Sequence, residues 1–104
     1  MIQLVYGGVY LYSPKGIDRQ RLVLTIAAPG VLDSRRRFVT GLTVEAAHDG
    51  DPLTVPITVS GTRRFVNTTR PKDLIRDWFV EYHDTLSRQE MEAVRAMRRI
   101  AEDL

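Results

Sequence analysis

The sequence predicts a mainly β, α+β domain in which five or six short, mostly antiparallel strands curl into a small barrel closed by a C-terminal helix. Three observations predict it. Short runs of β-branched and aromatic residues recur between Gly, Pro, Asp and Ser turn signals. No repeat, low-complexity segment or plausible linker interrupts residues 1–104, which are expected to form one domain. The C-terminal segment then switches from a strand-like to a helical period.

LVYGGVYLY (4–12) reads as a strand whose Gly7-Gly8 pair marks a bulge or a late start. SPKG then turns the chain. RLVLTIAA (21–28) is nearly continuous apolar, as a central strand buried on both faces should be, and Pro29-Gly30 is expected to end it. RRFVTGLTVEA (36–46) is a third strand, with Phe38, Leu42 and Val44 apolar and Thr40, Thr43 and Glu45 free for other surfaces. After the turn-rich AHDGDP, LTVPITVSG (53–61) alternates Leu53, Val55, Ile57 and Val59 on one face, and Pro56 predicts a sheet edge. Ser60-Gly61-Thr62 is a hairpin turn into RRFVNTT. Pro71 to Ile75 is expected to form one helical turn with Pro first, leading to a last short strand in WFVEY.

The helix is predicted from Arg88 to about Leu104. Ser87 and Glu90 have the spacing of a capping box, and Leu86 with Met91 that of a hydrophobic staple. Met91, Val94, Met97, Ala101 and Leu104, widened by Ala93 and Ile100, form an apolar stripe. Such a stripe packs on a core or, at a chain terminus, serves a dimer.

Hydrophobic residues make up 43% and charged residues 27%, which excludes a largely disordered chain. The absence of cysteine removes disulfides, thiolate nucleophiles and sulfur-ligated zinc, and suits the cytoplasm. No apolar stretch approaches the ~20 residues of a membrane span, and with no basic leader or cleavage site the native start is expected at Met1. The net charge of +2 hides an uneven distribution. Arg19, Arg21, Arg35, Arg36, Arg37, Arg63, Arg64 and Arg70 lie together in the first two thirds, whereas acids gather at 45–51 and along the last helix. A positive face suited to phosphate is one reading, because a guanidinium fork matches phosphate oxygens; solubilising arginines at strand ends are the other.

Most catalytic signatures are missing. No glycine pattern ends in Lys-Ser/Thr or follows a strand at dinucleotide spacing, so nucleotide cofactors are not expected. His48 and His83 lack paired-ligand spacing, and HDGD (48–51) reads as a solvated turn that binds a hard cation only by presenting several oxygens at once. His83, beside Glu81 and Asp84, is either a general base or a capping and packing residue. No metal site and no cofactor are predicted.

There remain Arg21 opening the second strand, Thr43 in the third, and the turn Asn67-Thr68-Thr69-Arg70. If the second and third strands are neighbours, Arg21 and Thr43 approach each other at a sheet end. A cationic fork and a hydroxyl donor stabilise the charge that develops on a pentacoordinate phosphate. RNA suits such a pair because its own 2′-hydroxyl supplies the nucleophile. Against this stands an ordinary strand threonine with a surface arginine.

Over essentially its whole length the chain resembles the MazF/PemK and CcdB superfamily of toxins from type II toxin–antitoxin modules. GGVYLY resembles the family's opening strand, RLVLTI its arginine-led RPVLVI strand, and RRFVTGLTVEA the strand ending near a functional threonine. TLSRQEMEAVRAMRRI is similar to its closing Thr-Leu-Ser and amphipathic helix. The resemblance implies an SH3-like barrel, a homodimer, and a metal-independent endoribonuclease that cuts single-stranded RNA to a 2′,3′-cyclic phosphate and a 5′-hydroxyl. It assigns the catalytic pair to Arg21 and Thr43, the PemK-type turn arginine to Arg70, and a nearby carboxylate base to Asp73. Arg19, Arg36, Arg37 and Arg64 are then expected on flanking RNA phosphates. The implied partner is an antitoxin whose acidic, largely disordered tail folds across the arginines.

Two departures stand out. SPKGIDRQ is short for an RNA-gripping loop, and Leu22 replaces the proline that usually follows the strand-leading arginine. VYLYSPKG and VLDSRRRFVTGL also resemble the CcdB branch, which poisons DNA gyrase, but that action depends on a Trp-Gly-Ile carboxy terminus and this sequence closes on Ile100-Ala101-Glu102-Asp103-Leu104. A gyrase inhibitor or a non-catalytic β-barrel module on the same scaffold are the alternatives.

Overall fold

A computed structural model describes residues 2–15 and 19–104; the middle of the SPKGIDRQ loop and Met1 lie outside the described residues. Its strands are β1 (Gly8–Tyr12), β2 (Arg21–Thr25), β3 (Phe38–Glu45), β4 (Thr54–Val59), β5 (Thr62–Asn67), β6 (Lys72–Ile75) and β7 (Phe79–Thr85). A short helix α1 (Pro29–Asp33) precedes β3, a single 3-10 turn spans Arg76–Trp78, and α2 (Arg88–Glu102) closes the fold. The sheet runs β4-β5-β3-β2-β1-β7, with β6 added to β3, and every pairing is antiparallel. The two ends of this order approach each other: Ser60 N donates to Asp84 Oδ2 at 2.7 Å and Ser60 Oγ to the His83 carbonyl at 3.0 Å. That contact curls the sheet into the expected barrel, with seven strands rather than five or six.

Side-chain alternation splits the interior into two cores. Leu24, Leu42, Val44, Val55, Ile57 and Val66 face one side, where Leu86, Met91 and Val94 of the α2 region cover them. Tyr10, Tyr12, Val23 and Val39 face the other, covered by Leu4, Leu32 of α1 and Leu74 of β6. Both faces of β2 are therefore buried over Val23–Thr25, which explains its unbroken apolar run.

Glu90 fixes the start of α2 twice. Its backbone N–H donates to Ser87 Oγ at 3.1 Å and its carboxylate accepts from Ser87 N at 3.0 Å, completing the capping box. The second carboxylate oxygen accepts from Thr58 N at 2.7 Å, satisfying an outward donor of β4. Pro56 interrupts that same strand, and β4 is the edge that the proline predicts. At the β4–β5 turn Ser60 (φ 49°) and Gly61 (φ 81°) both adopt positive φ, the requirement of a tight hairpin matched to strand twist.

Several local expectations are corrected. β2 ends at Thr25, and Pro29 opens α1 at its first turn instead of merely stopping a strand. Pro71 to Ile75 is not a helical turn: Lys72–Ile75 pairs with Gly41–Phe38, because β3 offers an open edge that a four-residue segment can fill while burying Leu74. The helical turn comes one step later. On α2 the stripe is buried only at Met91 and Val94; Ile100 is 49% exposed and Leu104, past the helix end, 88%. β3 is paired by β2 over Gly41–Val44 on one edge and by β6 and β5 on the other. Among the described residues no helix is long and apolar enough to cross a membrane.

Candidate active site

β3 changes partner along its length. β6 pairs with Phe38–Gly41 and β5 with Val44–Glu45, so the ladder on that edge parts at Leu42 and Thr43. The chain crosses the fork through Thr68–Pro71, which carries Arg70 to its mouth. Gly41 makes the close approach of β6 possible: a Cβ there would stand 2.6 Å from Leu74 Cδ1 and 2.7 Å from the Leu24 carbonyl oxygen.

Thr43 sits at this fork. Val23 is its direct partner across the β2–β3 ladder, so Thr43 faces away from α2. The hydroxyl oxygen is buried and has no hydrogen-bond partner among the described residues. It lines a small cavity of about 90 Å³ with Glu45, Asp49, Asn67, Arg70 and Lys72. An unpaired buried hydroxyl costs roughly 1–3 kcal/mol, and the residue that carries this one shares the cavity lining with two cations.

One wall of the cavity is locked. Asp49 accepts from Thr54 Oγ1 at 2.6 Å, Asn67 Nδ2 at 2.8 Å and Asp51 N at 3.0 Å. The Thr54 hydroxyl, then the Asn67 amide and the Asp51 N–H, hold its carboxyl well below the usual carboxylate range, against a smaller opposing effect of desolvation. Asn67 Oδ1 in turn accepts from Thr69 N (2.9 Å) and Thr69 Oγ1 (2.6 Å), while Thr68, fully buried, donates to the Leu53 carbonyl at 2.8 Å. The HDGD loop and the Asn67–Arg70 turn are thus one rigid unit. Its carboxylates are engaged in hydrogen bonds, and no group of three or more His, Cys, Asp or Glu is placed to hold a metal among the described residues. The Glu45 side chain, by contrast, has no hydrogen bond or ion pair among the described residues.

The sequence-derived candidates divide between two faces. Arg21 lies two residues before Val23 in β2, hence on Thr43's face, diagonally placed and half-buried, although its side chain does not line the small cavity. Arg70 does line it. Asp73 does not: it pairs with Thr40 and points to the helix side, into a groove of about 710 Å³ shared with Arg36, Phe38, Arg95 and Arg99. Lys72, its neighbour, takes the Thr43 face instead. Arg64 stands opposite Ile57 and shares the helix-side face with Val66, whereas Arg63 and Phe65 face the other way. Arg37 stacks over Phe38 with its guanidinium 5.6 Å from the ring centroid, and Arg19 is exposed ahead of β2. His83 lies in β7 with Nε2 3.7 Å from Glu81. Glu45 and Lys72 were not among the sequence-derived site residues, and Arg63 entered only as one of the arginines of a possible positive face. The only signal for them was period-two alternation from Thr43 and Asn67, which needs the ladder register to become readable.

No protein-family model matches this chain, and no curated protein does. Among solved structures it is similar to an endoribonuclease from a mycobacterial species, with TM-score 0.82 and 17% identity over 100% of this chain and 95% of that one. It is equally similar to an endoribonuclease in complex with its cognate antitoxin from a mycobacterial species, with TM-score 0.82 and 16% identity over 100% and 97% of the two chains. The Mycobacterium tuberculosis toxin MazF-mt6 superposes with TM-score 0.77 at 16% identity, over 93% of this chain and 97% of that one. At such identities the likeness is one of fold, and the fold of this chain is that of the MazF toxins.

Proposed function

We propose that the chain is the toxin of a toxin–antitoxin pair, a metal-independent endoribonuclease that cuts single-stranded RNA in the cytoplasm. The observation that carries this reading is Thr43, whose hydroxyl is buried and has no hydrogen-bond partner among the described residues, on the wall of a cavity that Arg70 and Lys72 also line. A scissile phosphate seated there receives the Thr43 hydrogen bond and the positive charge of Arg70, Lys72 and, from the rim, Arg21. These groups counter the extra negative charge of the pentacoordinate transition state. The RNA 2′-hydroxyl attacks the adjacent phosphorus and gives up its proton to a base, the P–O5′ bond breaks, the departing 5′ oxygen takes a proton from water, and a 2′,3′-cyclic phosphate and a 5′-hydroxyl result.

A carboxylate is needed on the same side to accept the 2′-hydroxyl proton. Glu45 lines the cavity and has no competing partner, so the base is assigned to Glu45 in place of Asp73. Arg19 and Arg63 extend the cationic track for flanking phosphates. The protein acts as a homodimer, and an antitoxin with an acidic tail silences it by covering the arginines.

The test is incubation of the purified protein with long single-stranded RNA in EDTA, followed by analysis of the new ends. Cleavage to cyclic phosphate and 5′-hydroxyl ends in the unaltered protein, lost in Thr43→Ala, is expected. Intact RNA together with gyrase-dependent DNA breaks would overturn the reading in favour of a gyrase inhibitor.

A further inference from the structure

Phe65 is a large aromatic residue that belongs to neither core. It pairs with Glu45 on β3 and Pro56 on β4, so it faces the Thr43 side, half-buried, on the outer wall beside the cavity. The exposed ring of His48 meets it nearly edge-on, with centroids 5.5 Å apart and planes at 71°. The two rings form a corner. His48 Nδ1 accepts from Gly50 N at 2.8 Å, which leaves Nε2 as the ring's donor. Through Asp49, which binds Thr54 and Asn67, the loop carrying His48 is fixed to the same rigid unit as Asn67 and Arg70.

Along this face of β5 the order is Arg63, Phe65, Asn67: a cation, a ring, and the amide at the cavity edge, each two residues and about 6.7 Å apart. Alternating charge and aromatic surface is what a single strand of nucleic acid presents in complement, phosphate and base in turn. We propose that the Phe65–His48 corner is a nucleobase subsite. The base next to the scissile phosphate stacks on Phe65, His48 Nε2 donates to an acceptor on its edge, and Arg63 meets the following phosphate. This rests on the ribonuclease reading and goes beyond it by naming where a base is held.

The experiment uses 2′-fluoro RNA oligonucleotides, which lack the attacking hydroxyl and stay intact, with affinity read by fluorescence anisotropy while each position in turn is made abasic. One abasic position is expected to weaken binding to the unaltered protein by roughly 5- to 150-fold, the range typical of one base on one aromatic side chain. In Phe65→Leu, which keeps apolar bulk, that penalty should vanish, and Phe65→Trp should restore it. A 2-aminopurine at the sensitive position should be quenched on binding to the unaltered chain, a readout that needs no variant. Abasic penalties unchanged in Phe65→Leu, or an unquenched probe, would overturn the subsite while cleavage of ordinary RNA in parallel leaves the ribonuclease standing. Absence of any RNA binding or cleavage would overturn both.

Discussion

Arg21 and Thr43 lie diagonally across one face of the β2–β3 ladder, because Val23, two residues after Arg21, is the direct partner of Thr43. Diagonal neighbours on an antiparallel pair are roughly 7–8 Å apart, within reach of a long side chain. A phosphate between them would draw Arg21 inward, whereas Thr43 already lines the cavity. In the proposed ribonuclease the two residues would have different tasks, Thr43 as a hydrogen-bond donor and Arg21 as a cation at the rim.

Thr43→Val separates function from stability. The substitution removes a buried hydroxyl that has no partner, so thermal unfolding should occur at the same temperature or slightly higher. RNA cleavage should nevertheless fall by about two to three orders of magnitude, as on losing one transition-state donor. Differential scanning fluorimetry beside a cleavage assay checks both halves. Unfolding at a clearly lower temperature would mean that the hydroxyl supports the fold.

Arg63 and Arg64 are adjacent and should behave differently. Arg63→Ala removes a phosphate contact and should lower the salt dependence of RNA binding by about one unit of slope. Arg64→Ala, on the helix side, should leave that slope unchanged. Titrations at several salt concentrations distinguish them.

Asp49→Ala should destabilise the protein at neutral pH by freeing the HDGD loop from Thr54 and Asn67. Because the folded-state pKa of Asp49 is lowered, its contribution is complete above the unfolded value of about 3.9 and is lost as pH falls below that value toward the folded one. The stability gap between the unaltered protein and Asp49→Ala should thus be constant from pH 7 to about 5 and shrink below about pH 4. Urea unfolding at pH 7, 5 and 3 measures it. A gap that widens in acid would contradict the assignment.

Gly41→Ala should destabilise by about 1–3 kcal/mol, since the new methyl meets the Leu24 carbonyl oxygen and Leu74 Cδ1 inside any tolerated distance. Loss of activity is expected to follow, because β6 carries Lys72. Chemical denaturation and RNA cleavage of the same preparation test the pair of effects.

Elements specified by their own residues were legible in the sequence. Ser87 and Glu90 define the start of α2, Pro56 marks the edge strand, and the alternation of Val55, Ile57 and Val59 sets one buried face. β6 was not legible, because Lys72–Ile75 is a strand only by virtue of the β3 edge it meets; Pro71 locally favours a helical start. The site followed the same division. Residue type left Thr43 and the Asn67–Arg70 turn as candidates beside an ordinary structural reading, the family resemblance supplied their expected roles, and Thr43 and Arg70 line one cavity. Which of two neighbours faces it, Lys72 or Asp73, Arg63 or Arg64, depends on register, where a shift of one residue reverses every side chain.

The most direct test is single-turnover cleavage of one RNA in EDTA by Arg21→Ala, Thr43→Val, Glu45→Gln and Asp73→Asn. The account predicts a loss of at least about 100-fold in each of the first three and near-normal cleavage in Asp73→Asn, whose side chain lies on the far face of the sheet. Full activity in Thr43→Val combined with inactivity in Asp73→Asn would place the chemistry in the helix-side groove and contradict the account.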